Sequence, residues 1–136
     1  MGDTSLWISA ELGRSLDRRL LPEVMRVSVI TLAELQAGVQ AGVLAASDPA
    51  TASSRLRTLQ LASESEPLPV DVAAAAVAVA QEWALLRVEV ARAGRRVNLN
   101  DLWSAATARA NRLPVVSQDG DLAVLGALGL VDLLEV

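Results

Sequence analysis

The sequence contains no cysteine and no histidine, and lysine, tyrosine and phenylalanine are also missing from its 136 residues. Each absence closes a branch of chemistry. Without cysteine there is no disulfide framework, no zinc-thiolate site and no thiol nucleophile. Without histidine or lysine, an imidazole general base and a lysine Schiff base are excluded. Hydrolytic chemistry is left to Asp, Glu, Asn, Ser, Thr and Arg. Carboxylates unaccompanied by imidazole or thiolate favour hard cations such as Mg2+ or Mn2+. Nor does any apolar run reach the ~18 residues needed to span a bilayer. The longest weakly polar stretch, residues 70–80, is mostly alanine and is broken by Asp71. No basic-then-apolar leader opens the chain, so the expectation is a cytoplasmic protein with no membrane partner.

What is present fits one domain over residues 1–136, since 52% of the residues are apolar and can fill a core. A net charge of −4 lacks the basic signature of a nucleic-acid binder. That weighs mildly against an RNA substrate, because a nuclease site is itself acidic until metal fills it. Twelve arginines remain to contact phosphate, several of them clustered at Arg18-Arg19, Arg55 with Arg57, and Arg95-Arg96.

Helical signals dominate the chain. The patterning predicts helices over 4–12, 16–24 (weakened by Pro22), 31–44, 48–62, 71–93 and 101–111, with a helix or turn over 121–128. Asp48 or Ser47 caps the fourth with Pro49 at its first position, Gly94 ends the fifth, and Asn100 caps the sixth. Strands are expected at 26–30, 68–70, 113–117 and 130–136, with 63–67 a polar loop. Strands alternating with helices predict an α/β fold with a parallel sheet covered on both faces.

Four acidic positions share one feature of this pattern. Asp3 precedes the first helix, Glu34 lies one turn into the helix after the 26–30 strand, Asp101 opens the helix at Asn100, and Asp119 follows the 113–117 strand with Asp121 two residues on. Ligand sites in parallel α/β sheets form outside the carboxyl ends of the strands, so these distant acids can converge. A cluster of carboxylates repels itself unless a cation neutralises it. Each piece alone has a plainer reading. Thr31-Leu-Ala-Glu34 matches a helix capping box, Asn98-Leu-Asn-Asp101 a cap with an acid in the first turn, Asp119-Gly-Asp121 a polar turn, and Asp3 a simple cap. Only the set favours a site.

At this point the residues resemble a known family. Asp3-Thr-Ser-Leu-Trp-Ile8 resembles the opening motif of PIN domains, and residues 27–38, containing Glu34, are similar to the second motif. Residues 98–108 resemble the third, with Asp101, and residues 113–122 the last, with Asp119 and an accessory Asp121. Together the blocks resemble PIN-domain ribonucleases of the VapC toxin type. The resemblance implies a three-layer α/β/α sandwich with a short, mostly parallel central sheet. It implies a Mg2+- or Mn2+-dependent endoribonuclease that is a homodimer neutralised by a VapB-like antitoxin. By this carry-over Asp3 and Asp101 hold the principal metal, and Glu34, Asp119 and Asp121 complete the pocket directly or through water. Thr4, Ser5 and Ser117 orient the carboxylates. Three departures accompany it: only Met1-Gly2 stand where the family has an apolar first strand, so that strand is truncated before Asp3. Ser104 replaces a bulky aliphatic, and Ser117 replaces the commoner Thr.

Outside the acids, Trp7, Trp83 and Trp103 are the only aromatics. They are base-stacking platforms on a nucleic-acid reading, and for Trp7 and Trp103 the plainer expectation is core packing. Arg95-Arg96, just ahead of the third motif, is a candidate contact for RNA phosphate or an antitoxin carboxylate, with a solvated loop pair as the alternative. The helices at 31–44 and 48–62 either form a groove for an antitoxin helix or pack against each other. Two further functions compete with the nuclease: a catalytically weak PIN-like partner-binding module, and a small metal-dependent phosphatase-like α/β domain.

Overall fold

The sheet is assembled around the two residues ahead of Asp3. In the computed structural model, which describes residues 1–45, 48–68 and 73–136, Gly2 pairs in parallel with Val27 on one side and Val116 on the other. Gly2 N donates to the Arg26 carbonyl at 2.9 Å, Val116 N to the Met1 carbonyl at 2.8 Å, and Asp3 N to the Val116 carbonyl at 3.2 Å. Strand β1 (Arg26–Val27) pairs with β2 (Glu66–Pro67), and β3 (Val115–Ser117) with β4 (Leu133–Glu135), again in parallel. The order across the sheet is therefore β2, β1, Met1-Gly2, β3, β4. Pro67, which lacks an N–H, stands in an outermost strand, where a missing ladder donor is tolerated.

Helices α1 (Thr4–Glu11), α2 (Val29–Ala45), α3 (Pro49–Glu64), α4 (Ala73–Arg92), α5 (Leu99–Ala110) and α6 (Gly120–Ala127) cover both faces. On one face Met1 and Val115 join Leu86 of α4, Leu102 and Ala105 of α5, and Leu122 of α6 in a single apolar cluster. Gly2 faces the other way. A Cβ there would sit 2.9 Å from Leu6 Cδ2 and 3.3 Å from Trp7 Nε1, so α1 lies directly against the central strand, with α2 and α3 packed beside it. The expected three-layer α/β/α arrangement is the one observed. The small buried residues Ser104, Ala105, Ala106 and Ala108 keep α5 slim where the resemblance led one to expect greater bulk at position 104.

Several boundaries differ from expectation, each for a local reason. The helix expected over 16–24 is a single 3-10 turn, Arg18–Leu20, capped by Asp17. Its three residues are all exposed, so they have no apolar face to bury, and Pro22 disfavours helix for the residue before it. The strand expected over 26–30 stops at Val27 because Ser28, not Thr31, caps α2. Ser28 Oγ accepts from Thr31 N at 3.0 Å and donates to Thr31 Oγ1 at 3.1 Å. The capping-box reading of Thr31 to Glu34 therefore fails, and Glu34 lies deeper in the helix, free of cap duty. Asn98 rather than Asn100 caps α5, its Oδ1 accepting from Asn100 N at 2.8 Å.

Other expectations hold more closely. Asp48 caps α3, accepting from the N–H groups of Ala50 and Thr51. Gly94, with φ at +65°, follows the end of α4. The extended segment expected at 68–70 is centred earlier, at Glu66–Pro67, with Leu68 N still donating to the Val27 carbonyl at 3.0 Å. Residues 69–70 and the expected helix start at 71–72 lie outside the described residues, as does Ser47. The final strand is confined to Leu133–Glu135.

Ser28 is fully buried and sets the start of α2, hence the position of Glu34 along that helix. Ser28→Ala is expected to cost about 1 kcal/mol of stability, the usual loss for a helix cap, read as a lower urea midpoint with an unchanged slope. An unchanged midpoint would mean that the cap does not define the helix start.

Candidate active site

Asp3 leaves the central strand and caps α1 in the same step. It is 3% exposed. Its Oδ1 accepts from Leu6 N at 3.2 Å and from Ser5 Oγ at 3.0 Å, and its Oδ2 from Ser117 Oγ at 3.0 Å. Ser117 ends β3, next to the central strand, so the hydroxyl that replaces the commoner Thr reaches the carboxylate directly. The same Ser117 Oγ accepts from Asp119 N at 2.8 Å and lies 3.2 Å from Ser5 Oγ. Burial raises the Asp3 pKa, and the hydrogen bonds from Ser117, Leu6 and Ser5 oppose that rise.

Glu34 is reached from two other helices. Thr4 Oγ1 of α1 donates to Glu34 Oε2, and Asn100 Nδ2 of α5 donates to Glu34 Oε1 at 2.6 Å. Asp119 caps α6, its Oδ1 accepting from Asp121 N at 2.7 Å. Asp121 Oδ2 accepts from Asn98 N at 2.9 Å, which fastens the start of α6 to the start of α5.

Asp101, in the first turn of α5, is where these acids meet electrostatically. Its pKa is raised to about 7, first by desolvation and then by the negative charges of Asp119, Asp121, Asp3 and Glu34. All five sequence-predicted acids therefore belong to one electrostatic neighbourhood. They do not form a closed cage. Among the described residues no group of three acidic side chains is arranged to hold a common ion. Asp3, Glu34, Asp119 and Asp121 instead each sit on their own hydrogen-bond donors. The donor set fits a hard cation: it is oxygen throughout, and the repulsion that raises Asp101 is what a divalent ion would relieve.

Thr4, Ser5 and Ser117 all touch the acids they were expected to orient. Arg95 and Arg96 are exposed in the loop that leads into α5. The residues that sequence reasoning missed are Asn98 and Asn100. The patterning makes Asn100 the cap, whereas the observed cap two residues earlier frees its amide to reach Glu34. The signal was the Asn-x-Asn-Asp spacing, since two asparagines cannot both cap one helix. The tryptophans pack. Trp83 and Trp103 stack with centroids 5.0 Å apart against the core, with Arg87 5.2 Å from the Trp83 ring centre. Helices α2 and α3 do pack against each other. With α1 they also leave a groove of about 250 Å³, walled by Ile8, Leu12, Leu35, Arg55 and Glu34 itself.

Comparison with known proteins bears on this arrangement. The PIN domain family model matches residues 1–128. Ribonuclease VapC5 of Mycobacterium tuberculosis is 44% identical over 134 residues, covering 98% of this chain and 93% of that protein. Ribonuclease VapC4 of the same organism is 42% identical over 125 residues, covering 92% and 89%. The crystal structure of VapBC-5, a member of the VapBC family of toxin-antitoxin systems from Mycobacterium tuberculosis, superposes with a TM-score of 0.81 at 41% identity, covering 99% of this chain and 96% of that one. With the family model matched from the central strand through the end of α6, the chain belongs to the PIN-domain family.

Proposed function

We propose that the chain is a metal-dependent endoribonuclease, the toxin of a VapBC-type toxin–antitoxin pair, which hydrolyses RNA phosphodiester bonds at Asp3, Glu34, Asp101 and Asp119. The observation that carries this reading is the convergence of acids around Asp101, whose pKa is raised to about 7 by desolvation first and then by the charges of Asp119, Asp121, Asp3 and Glu34. The similarity to two ribonucleases along nearly the whole chain supports the same reading. Asp3 and Asp101 are the principal ligands in it, with Glu34, Asp119 and Asp121 contributing directly or through water. When bound there, Mg2+ or Mn2+ supplies an activated water and neutralises charge at the scissile phosphate.

The protein's own part is to hold these oxygens in place. Ser5 and Ser117 fix the Asp3 carboxylate, and Ser117 also fixes the backbone that carries Asp119. Arg95 and Arg96 are free in solvent to meet RNA phosphate or an antitoxin carboxylate. The partners in this reading are RNA, a VapB-like antitoxin helix seated in the groove beside Glu34, and a second copy of the chain, all in the cytoplasm. None of the described helices is long and apolar enough to cross a membrane. The alternative of a weakly active binding module rested on a truncated first strand. Met1-Gly2 nevertheless pairs on both sides and delivers Asp3 buried and bonded, which argues for an intact site.

Asp101→Asn removes charge with little change of volume. It is expected to abolish Mn2+-dependent cleavage of total bacterial RNA, as EDTA does, while circular dichroism remains native. Cleavage by the well-folded variant would reject Asp101 as a ligand. Cleavage of phosphomonoesters without cleavage of RNA would favour the phosphatase-like alternative.

The pH dependence follows from the same residue. Asp101 titrates near pH 7 in the folded chain, above the ordinary carboxylate range. Between the two values the unfolded chain is ionised there while the folded one keeps its proton. Metal-free protein therefore loses stability as pH rises through that window and levels off above about pH 7. Mn2+ needs the ionised form, so the rise in melting temperature that it produces is expected to grow as pH climbs through the same range. A Mn2+ shift that is independent of pH, or unchanged in Asp101→Asn, would remove Asp101 from the metal site.

A further inference from the structure

Glu34 is gripped at both oxygens by uncharged donors from two helices other than its own. Asn100 Nδ2 reaches Oε1 at 2.6 Å from α5, and Thr4 Oγ1 reaches Oε2 from α1. Each donor is the sequence neighbour of a principal acid: Thr4 follows Asp3, and Asn100 precedes Asp101. The backbone that sets each acid therefore also sets one jaw of the grip on Glu34.

The Asn100 jaw is itself supported. Its backbone N–H is bound by Asn98 Oδ1 at 2.8 Å, and the Asn98 N–H by Asp121 Oδ2 at 2.9 Å. A line of hydrogen bonds thus runs from the start of α6 through the start of α5 to the side chain on α2. The first turn of α5 has its cap in Asn98, so the Asn100 side chain is not needed there. It is exposed and fills no part of the core. A glutamate on an open helix face samples many rotamers, and each must be given up when a ligand binds. Glu34 has given them up in advance.

We infer that Asn100 is a positioning residue: with Thr4 it clamps the Glu34 carboxylate across the gap between α1 and α5, fixing it relative to Asp3 and Asp101 before a divalent cation arrives. The inference rests on the nuclease reading of this site and assigns to Asn100 a role that acts through Glu34, without contact with RNA.

The test is a cycle of Asn100→Ala, Glu34→Gln and the double variant. It is read by the Mn2+ concentration at half-maximal thermal stabilisation, by kcat and KM on RNA, and by the melting temperature in EDTA. Asn100→Ala is expected to raise the Mn2+ midpoint and lower kcat by about ten- to a hundredfold, the usual cost of losing a ligand's hydrogen-bond partner. KM and the metal-free melting temperature should stay unchanged. In the Glu34→Gln background the same substitution should add nothing to the midpoint. Thr4→Val, which keeps the shape and removes the hydroxyl, should move midpoint and kcat in the same direction from the other oxygen. An undiminished effect in the Glu34→Gln background would overturn the clamp. So would a lower metal-free melting temperature with an unmoved midpoint, which would make the bond a mere staple between helices. If wild-type protein binds Mn2+ but leaves RNA intact, the nuclease reading fails and the midpoint cycle alone decides the clamp. If wild-type protein binds no Mn2+, both fall.

Discussion

The structure depends on two residues that carry almost no side-chain information. Met1-Gly2 is the strip of backbone between β1 and β3, and without its pairings the parallel sheet would be two separate two-stranded ladders. Short parallel ladders are weak on their own, and burial under helices on both faces holds them. Met1 turns into the cluster built by α4, α5 and α6, while Gly2 leaves room for Leu6 and Trp7 of α1. The next residue is Asp3. The interaction that unites the sheet therefore also delivers a carboxylate, buried and oriented, to the end of the sheet where the other acids gather.

That delivery sets the electrostatics. A carboxylate as buried as Asp3 is costly to ionise, and hydrogen bonds from Ser117, Leu6 N and Ser5 offset part of that cost, leaving its pKa raised. Asp101 is desolvated and also has four acids acting on it, which together raise its pKa to about 7. One site thus contains an acid whose burial is opposed by fixed donors and an acid whose burial is compounded by its neighbours' charge. Helix starts organise the difference. Asp3 and Asp119 cap α1 and α6, whereas Asp101 stands inside the first turn of a helix already capped by Asn98. The cap position claims an oxygen of the first two and leaves Asp101 to respond to the field.

Much of this was legible in the sequence, for reasons that differ by residue. The acids were visible because helix starts after strands have recognisable punctuation, and a parallel sheet brings those starts to one end. The motif order then identified the family. The exact caps were harder to read. Ser28 and Thr31 are both good cap residues three apart, as are Asn98 and Asn100 two apart, and local propensity does not choose between them. The choice is made by packing: Val27 is fully buried beside the central strand, so the chain can turn into α2 at Ser28. The 16–24 segment misled for the opposite reason. It has helical residues but nothing to pack them on, and helices in proteins owe most of their stability to a buried face. The grip on Glu34 was out of reach, since it joins positions 4, 34 and 100 through side chains whose directions depend on those caps.

One regularity ties the site together. The donors that hold its acids are hydroxyls of Thr4, Ser5 and Ser117, the amide of Asn100, and backbone N–H groups of Leu6, Asn98 and Asp121. Neutral donors lower the cost of ionising a carboxylate without cancelling its charge. Arginine at the same places would have bound the acids more strongly and spent their charge within the protein. Arg109 instead pairs with Glu82 and Arg92 with Glu89, while Arg95 and Arg96 are exposed. The fold therefore orders its carboxylates without cancelling their charge, and that charge adds to desolvation in raising the Asp101 pKa. With no histidine or cysteine in the chain, what distinguishes the cluster is the carboxylate charge that these neutral neighbours leave uncompensated.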